Sequence, residues 1–96
     1  MRIVGFRHKA LERFWHDNDP RGLPPKQTEK IRAILTAMGE AANLTEIERY
    51  SGWRLHPRKG DRRGTWAMIV TRNHRLTFKL LGLNIAEIDL EDYHGK

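Results

Sequence analysis

The 96 residues contain no cysteine. Disulfides, thiolate metal centres and cysteine nucleophiles are thereby excluded, and the composition fits a reducing, cytoplasmic setting. No apolar run approaches the ~20 residues of a membrane span, and the N-terminus lacks a signal peptide's apolar core, so no membrane role is expected. No internal repeat, linker or low-complexity tract divides the chain, whose length supports one core and one domain over residues 1–96. Its five histidines are scattered, with no pair at i, i+4 on an expected helix, so neither a metal site nor a cofactor is expected. The loop Gly60-Asp61-Arg62-Arg63-Gly64 is followed by no Gly-Lys-Ser/Thr, which excludes a Walker-type phosphate loop.

Acid is also missing from one long stretch. Between Arg49 and Lys79 stand nine basic residues and a single acid, Asp61, a segment charge of +8 in a chain whose total is +6. The remainder therefore carries −2. A merely solvated surface is the plainer account of such a stretch. A cationic face of this density is also what a polyanion or an acidic protein would neutralise.

The periodicity predicts helices first and strands later. Ile3-Val4-Gly5-Phe6 is a short first strand. From His8 to Asp17, Leu11, Phe14 and Trp15 form an apolar stripe, ended by the breaker cluster Asn18-Asp19-Pro20-Arg21-Gly22. Pro24-Pro25 presets the first turn of a second helix, in which Ile31, Ile34, Leu35, Met38 and Ala42 line one face. After Gly52 the period becomes two. Trp53 and Leu55, then Trp66, Met68 and Val70, then Leu76, Phe78 and Leu80, then Ala86, Ile88 and Leu90 alternate with polar or small residues. The resulting fold class is α+β: two N-terminal helices packed on one antiparallel sheet of about four to five strands.

If the apolar phase faces the helices, Arg54, His56, Arg75, Thr77 and Lys79 project together from the open face. Trp53 and Trp66 then belong to the core rather than to a base-stacking platform. A cationic sheet bearing a histidine suits RNA cleavage without a metal. There the 2′-hydroxyl attacks the adjacent phosphate and needs a base, an acid and cations beside the phosphate oxygens. Asp92-Tyr93-His94, just after the last strand, is a second ionisable cluster. Plainer roles exist for each: an exposed strand-end histidine at His56, a core-capping ring at Tyr93, a frayed tail at His94.

The run Trp53-Arg54-Leu55-His56-Pro57-Arg58-Lys59-Gly60-Asp61-Arg62-Arg63-Gly64, followed by Trp66, resembles the core signature of the HigB, or plasmid maintenance system killer, family of the RelE/ParE superfamily. Asn73-His74-Arg75-Leu76-Thr77-Phe78 resembles its central strand, and Asp92-Tyr93-His94 its terminal motif. Phe6-Arg7-His8-Lys9-Ala10-Leu11 and Phe14 are similar to its opening. The resemblance implies a toxin of a type II toxin-antitoxin system, a ribosome-dependent endoribonuclease that cleaves translated mRNA. Its implied partners are the ribosome, mRNA and a HigA-type helix-turn-helix antitoxin. Carried onto matching positions, His56, Lys59, Arg75, Asp92, Tyr93 and His94 form the active site. Lys59 and Arg75 then stabilise the phosphate, and the others share proton transfer. Arg54, Arg58, Arg62, Arg63, Arg72 and Lys79 supply charge for RNA or ribosome binding.

Some positions depart from the pattern. Arg58 stands where family members often carry Leu, His74 replaces a more usual aromatic or amide, and Leu80-Leu81-Gly82-Leu83-Asn84 is more apolar than the usual turn. Two other functions fit the same fold: a ParE-like toxin that inhibits DNA gyrase by binding, and a plain RNA-binding module. His56 and the Asp92-Tyr93-His94 cluster favour cleavage, because a gyrase binder has no need of them.

Overall fold

The computed structural model describes residues 1–62 and 64–93. Eight elements follow in order: β1 (Arg2–Ile3), α1 (Lys9–Asp17), α2 (Thr28–Glu40), α3 (Leu44–Glu48), β2 (His56–Pro57), β3 (Thr65–Ile69), β4 (His74–Leu81) and β5 (Asn84–Asp92). The strands make one five-stranded sheet in the order β1-β5-β4-β3-β2. Strands β2 to β5 pair antiparallel, whereas β1 lies parallel to β5, so the sheet is mixed at that edge. Among the described residues no helix is long and apolar enough to cross a membrane.

Local chemistry explains where the helices begin and end. His8 caps α1 through Nδ1, which accepts from the Leu11 amide at 3.3 Å, and Asn18 closes the helix in the left-handed conformation at φ 55°. Asparagine tolerates that conformation better than most residues. Pro25 opens a single 3-10 turn, Pro25–Gln27, that leads directly into α2. The five-residue α3 was not expected from periodicity, being too short to show any. It is held by its cap: the Asn43 side chain accepts from Glu46 N, and Glu46 Oε1 accepts from Ala42 N at 2.8 Å.

The core lies between the helices and one sheet face. Leu11 and Phe14 of α1, Ile31, Ile34, Leu35 and Met38 of α2, and Ile47 of α3 pack on Met68, Val70, Leu76, Phe78, Ile85 and Ile88. The expected alternation in β3 and β4 therefore holds.

Besides Ala42, which lies beyond the end of α2 and is exposed rather than buried, three expectations need correction. The first strand stops at Ile3, and Phe6 makes only an isolated bridge to Ile88. Trp53 and Leu55 do not lie in a strand. Ser51–Trp53 is a 3-10 turn closed by Arg54 in the left-handed conformation at φ 51°, and only His56 and Pro57 pair with β3. The physical reason is the Tyr50 ring, stacked on Trp53 at 4.1 Å, which turns the tryptophan back onto the segment before it. Arg54 is consequently exposed in a turn outside the strands.

The third correction is the phase of β5. Thr77 lies opposite Asp89 but Lys79 lies opposite Ala86, so Phe78 faces two residues, Glu87 and Ile88. This is a β-bulge, with Glu87 at φ 52°. Ile85 and Ile88, three apart, thus both reach the core, while Ala86 falls on the other face.

Candidate functional site on the open sheet face

Rows of paired residues cross the open face. Ile69, Arg75 and Glu91 form one row, His56, Ala67, Thr77 and Asp89 the next, and Thr65, Lys79 and Ala86 a third. This face is only partly open. Thr65, Ala67 and Thr77 are buried, and the segment after β2 reaches across this face, with Arg62 and Arg58 on Glu91 and Arg58 over Tyr93.

Tyr93 leaves the end of β5 tethered by its amide to the carbonyl of Asn73. Two guanidinium groups lie over its ring, Arg75 at 4.9 Å and Arg58 at 5.1 Å from the ring centroid. Cations over an aromatic face are attracted by its quadrupole, and two of them fix the ring plane. The phenolic oxygen is buried and has no hydrogen-bond partner among the described residues. Arg75 is itself fixed from behind, where Nη1 donates to the carbonyls of Thr71 at 2.8 Å, Arg72 at 3.0 Å and His74 at 3.2 Å. His74 steadies the same turn through contacts with Thr71 Oγ1 at 3.3 Å and Gln27 Nε2 at 3.1 Å.

His56 is exposed at the start of β2, with Nδ1 2.8 Å from the carbonyl oxygen of Arg54. A carbonyl can only accept, so Nδ1 carries the proton and Nε2 is the basic nitrogen of the neutral ring. The left-handed turn at Arg54 thus selects a histidine tautomer. Three strand spacings of ~4.8 Å put roughly 14 Å of sheet between β2 and β5. Arg58, two residues after His56, closes much of that span by reaching Tyr93.

The carboxylate of Glu91 sits among the cations. It pairs with both terminal nitrogens of Arg62, the Nη1–Oε1 contact being 3.2 Å, accepts from Thr77 Oγ1 at 2.8 Å, and lies 3.7 Å from Arg58 Nη1. Burial pushes its carboxyl pKa up. The hydrogen bonds from Arg62 and Thr77 and the charges of Arg62 and Arg58 more than offset this and hold it below the usual carboxylate range. Glu91 raises the Arg62 pKa in return.

The structure thus gathers Arg58, Arg62, Arg75, Glu91 and Tyr93. Lys59, next in the chain to Arg58, and Arg72, whose carbonyl accepts from Arg75, are exposed, Asp92 is exposed opposite His74, and Lys79 pairs with Glu87 at 3.5 Å in the third row. Arg63 and His94 lie outside the described residues. Sequence reasoning missed Glu91, which it assigned to the solvent phase of the last strand. The usable signal was an acid on the phase that faces a cationic sheet, one residue before Asp92 and Tyr93.

A family model for the RelE-like toxin of the type II toxin-antitoxin system HigB matches residues 4–94. The chain is 34% identical over 92 residues to Endoribonuclease HigB of Proteus vulgaris, which covers 96% of this chain and 99% of that protein. Its fold is similar to the YoeB/ParE toxin from Agrobacterium tumefaciens, with a TM-score of 0.53 at 20% identity over 95% of this chain and 99% of that one. At such low identity this last likeness speaks for the fold alone. A toxin of such a system has an antitoxin as its partner. With the profile spanning nearly every residue, the chain belongs to the HigB-like family of RelE-related toxins of type II toxin-antitoxin systems.

Proposed function

We propose that this toxin is a ribosome-dependent endoribonuclease that cuts translated mRNA and is neutralised by a HigA-type helix-turn-helix antitoxin. Endoribonuclease activity rests on the near-full-length similarity to the Proteus vulgaris enzyme. The observation that carries the chemistry is the Tyr93 ring with the Arg58 and Arg75 guanidinium groups over it, across the sheet from a histidine whose Nε2 is left basic. The 2′-oxygen attacks the adjacent phosphorus, the bond to the departing 5′-oxygen breaks, and the products are a 2′,3′-cyclic phosphate and a 5′-hydroxyl. One proton leaves the 2′-hydroxyl and one reaches the 5′-oxygen. His56, Asp92, Tyr93 and His94 share those transfers in this reading.

Arg75 and Lys59 meet the charge that builds on the phosphate oxygens, and a guanidinium already fixed by three carbonyls needs little reorganisation to do so. Arg54, Arg63, Arg72 and Lys79 add attraction for the backbone at longer range. The test compares cleavage of the same mRNA free and bound to programmed ribosomes, with the product ends identified. A 5′-hydroxyl and a cyclic phosphate formed mainly on ribosomes are expected. Equal cutting of free RNA would refute ribosome dependence, and 5′-phosphate products would refute the 2′-hydroxyl mechanism.

A further inference from the structure

Glu91 is a carboxylate placed where an RNA-cleaving face should avoid one. It lies directly opposite Arg75 in the β4–β5 pairing and immediately precedes Asp92 and Tyr93. Building on the nuclease reading above, we propose that Glu91 is a positioning residue for cleavage, holding the Arg58 guanidinium over the Tyr93 ring with Arg62 and Thr77 as its anchors.

Both carboxylate oxygens are engaged. Oε2 takes Thr77 Oγ1 and one nitrogen of Arg62, while Oε1 takes the other nitrogen of Arg62 and faces Arg58. A two-pronged arginine contact fixes the plane of a carboxylate as well as its place. Oε1 is therefore aimed, and Arg58 Nη1 follows it. At 3.7 Å that link is an ion pair rather than a hydrogen bond. Side-chain exposure is 19% for each partner, so neither charge is fully screened by water. Without the carboxylate, the partly buried Arg58 loses its compensating charge and gains by swinging toward solvent, away from Tyr93.

Two other roles for Glu91 give different outcomes. A mere counter-charge would weaken RNA binding, so its neutralisation would raise both affinity and rate. A purely structural brace would, when removed, lower melting temperature without a specific effect at Tyr93.

The test uses the full chain, Glu91→Gln, Arg58→Leu and the double variant, with single-turnover cleavage of mRNA on programmed ribosomes and separate measurement of ribosome binding. Glutamine keeps the shape and removes the charge. Binding by Glu91→Gln should be no weaker than that of the unmodified chain, while the saturating rate constant falls about tenfold or more, the scale of a small misplacement in an active site. Arg58→Leu should give a similar loss. The double variant should be no slower than the slower single, because both changes break one link.

The spectroscopic readout is the ring-carbon resonances of labelled tyrosine, of which the chain has two. The Tyr93 resonance should shift in both single variants while that of Tyr50 stays. An unchanged or raised rate in Glu91→Gln, rate losses that multiply in the double variant, or an unmoved Tyr93 resonance would each overturn the proposal. Should Glu91→Gln not fold, an unmoved Tyr93 resonance in Arg58→Leu overturns it alone. An unmodified chain that leaves RNA intact sinks the nuclease reading, whereas the tyrosine resonances still report on the Glu91–Arg58–Tyr93 geometry.

Discussion

Replacing Arg75 by alanine removes two things at once: the two Nη1 N–H groups shared among three carbonyls of the β3–β4 turn and one of the two cations over Tyr93. All three acceptors are carbonyls of one short turn, and part of what they lose can be regained from water. A hydrogen bond from a charged donor is worth ~1.5–3 kcal/mol when buried, and this half-buried cluster should sum to ~1–2 kcal/mol. For a domain of this size that is a fall in melting temperature of roughly 5–15 °C. The catalytic loss should be larger in free-energy terms. Deleting one pre-set donor to transition-state charge typically costs ~10²–10³ in rate.

Arg75→Lys separates the two effects. Lysine keeps the charge but has neither the fork that spans the turn nor the plane that stacks on a ring. It should recover part of the rate and little of the melting temperature. The assays are thermal melting by circular dichroism and single-turnover cleavage on programmed ribosomes. Full activity in Arg75→Ala would refute its role at the phosphate. Complete unfolding would show that the turn, rather than the chemistry, depends on it.

Tyr93→Phe keeps the ring under Arg58 and Arg75 and removes only the hydroxyl, so it should melt like the unmodified chain while losing ~10²–10⁴ in rate, and an unchanged rate would show that the ring alone matters. Phe78→Ala should cost ~3–5 kcal/mol, because Phe78 is fully buried opposite the β5 bulge, and a loss under 1 kcal/mol by denaturant titration would contradict the packing described. The Glu91 carboxyl is more acidic folded than its unfolded value of about 4.3, so its contribution to stability is present above that value and lost as pH falls through the folded pKa. Stability curves of the unmodified chain and Glu91→Gln should therefore draw together as pH falls below about 4.3 and lie apart above it; curves parallel throughout would refute the ion-pair account.

Much of the scaffold was legible because burial imposes a period. The stripe Ile31, Ile34, Leu35, Met38 and the alternation of Leu76, Phe78 and Leu80 each have one solution that hides the apolar side. What failed were places where local geometry breaks the period. Trp53 and Leu55 alternate like a strand, yet the Tyr50 stack and the left-handed Arg54 make a turn of them. Ala86 reads as core until the bulge at Glu87 slips the phase and puts Ile85 there instead. The Asn43–Glu46 cap of α3 was present in the sequence as a polar pair three apart, but a five-residue helix has no periodicity to support it. At the site, alternation put Arg75, Thr77, Asp89 and Glu91 on one face, but could not show which of them pair. That depends on how the segment from Arg58 to Arg62 folds back, and neither propensity nor pattern encodes such a return.

The most direct measurement is a map of mRNA 5′ ends in cells after this chain is induced without its antitoxin, with the ends sorted by their chemistry and position. The account predicts growth arrest together with new 5′-hydroxyl ends inside translated reading frames. Those ends should vanish in Arg75→Ala and when the antitoxin is supplied. Growth arrest with intact mRNA and inhibited gyrase, or ends spread equally through untranslated regions, would contradict it.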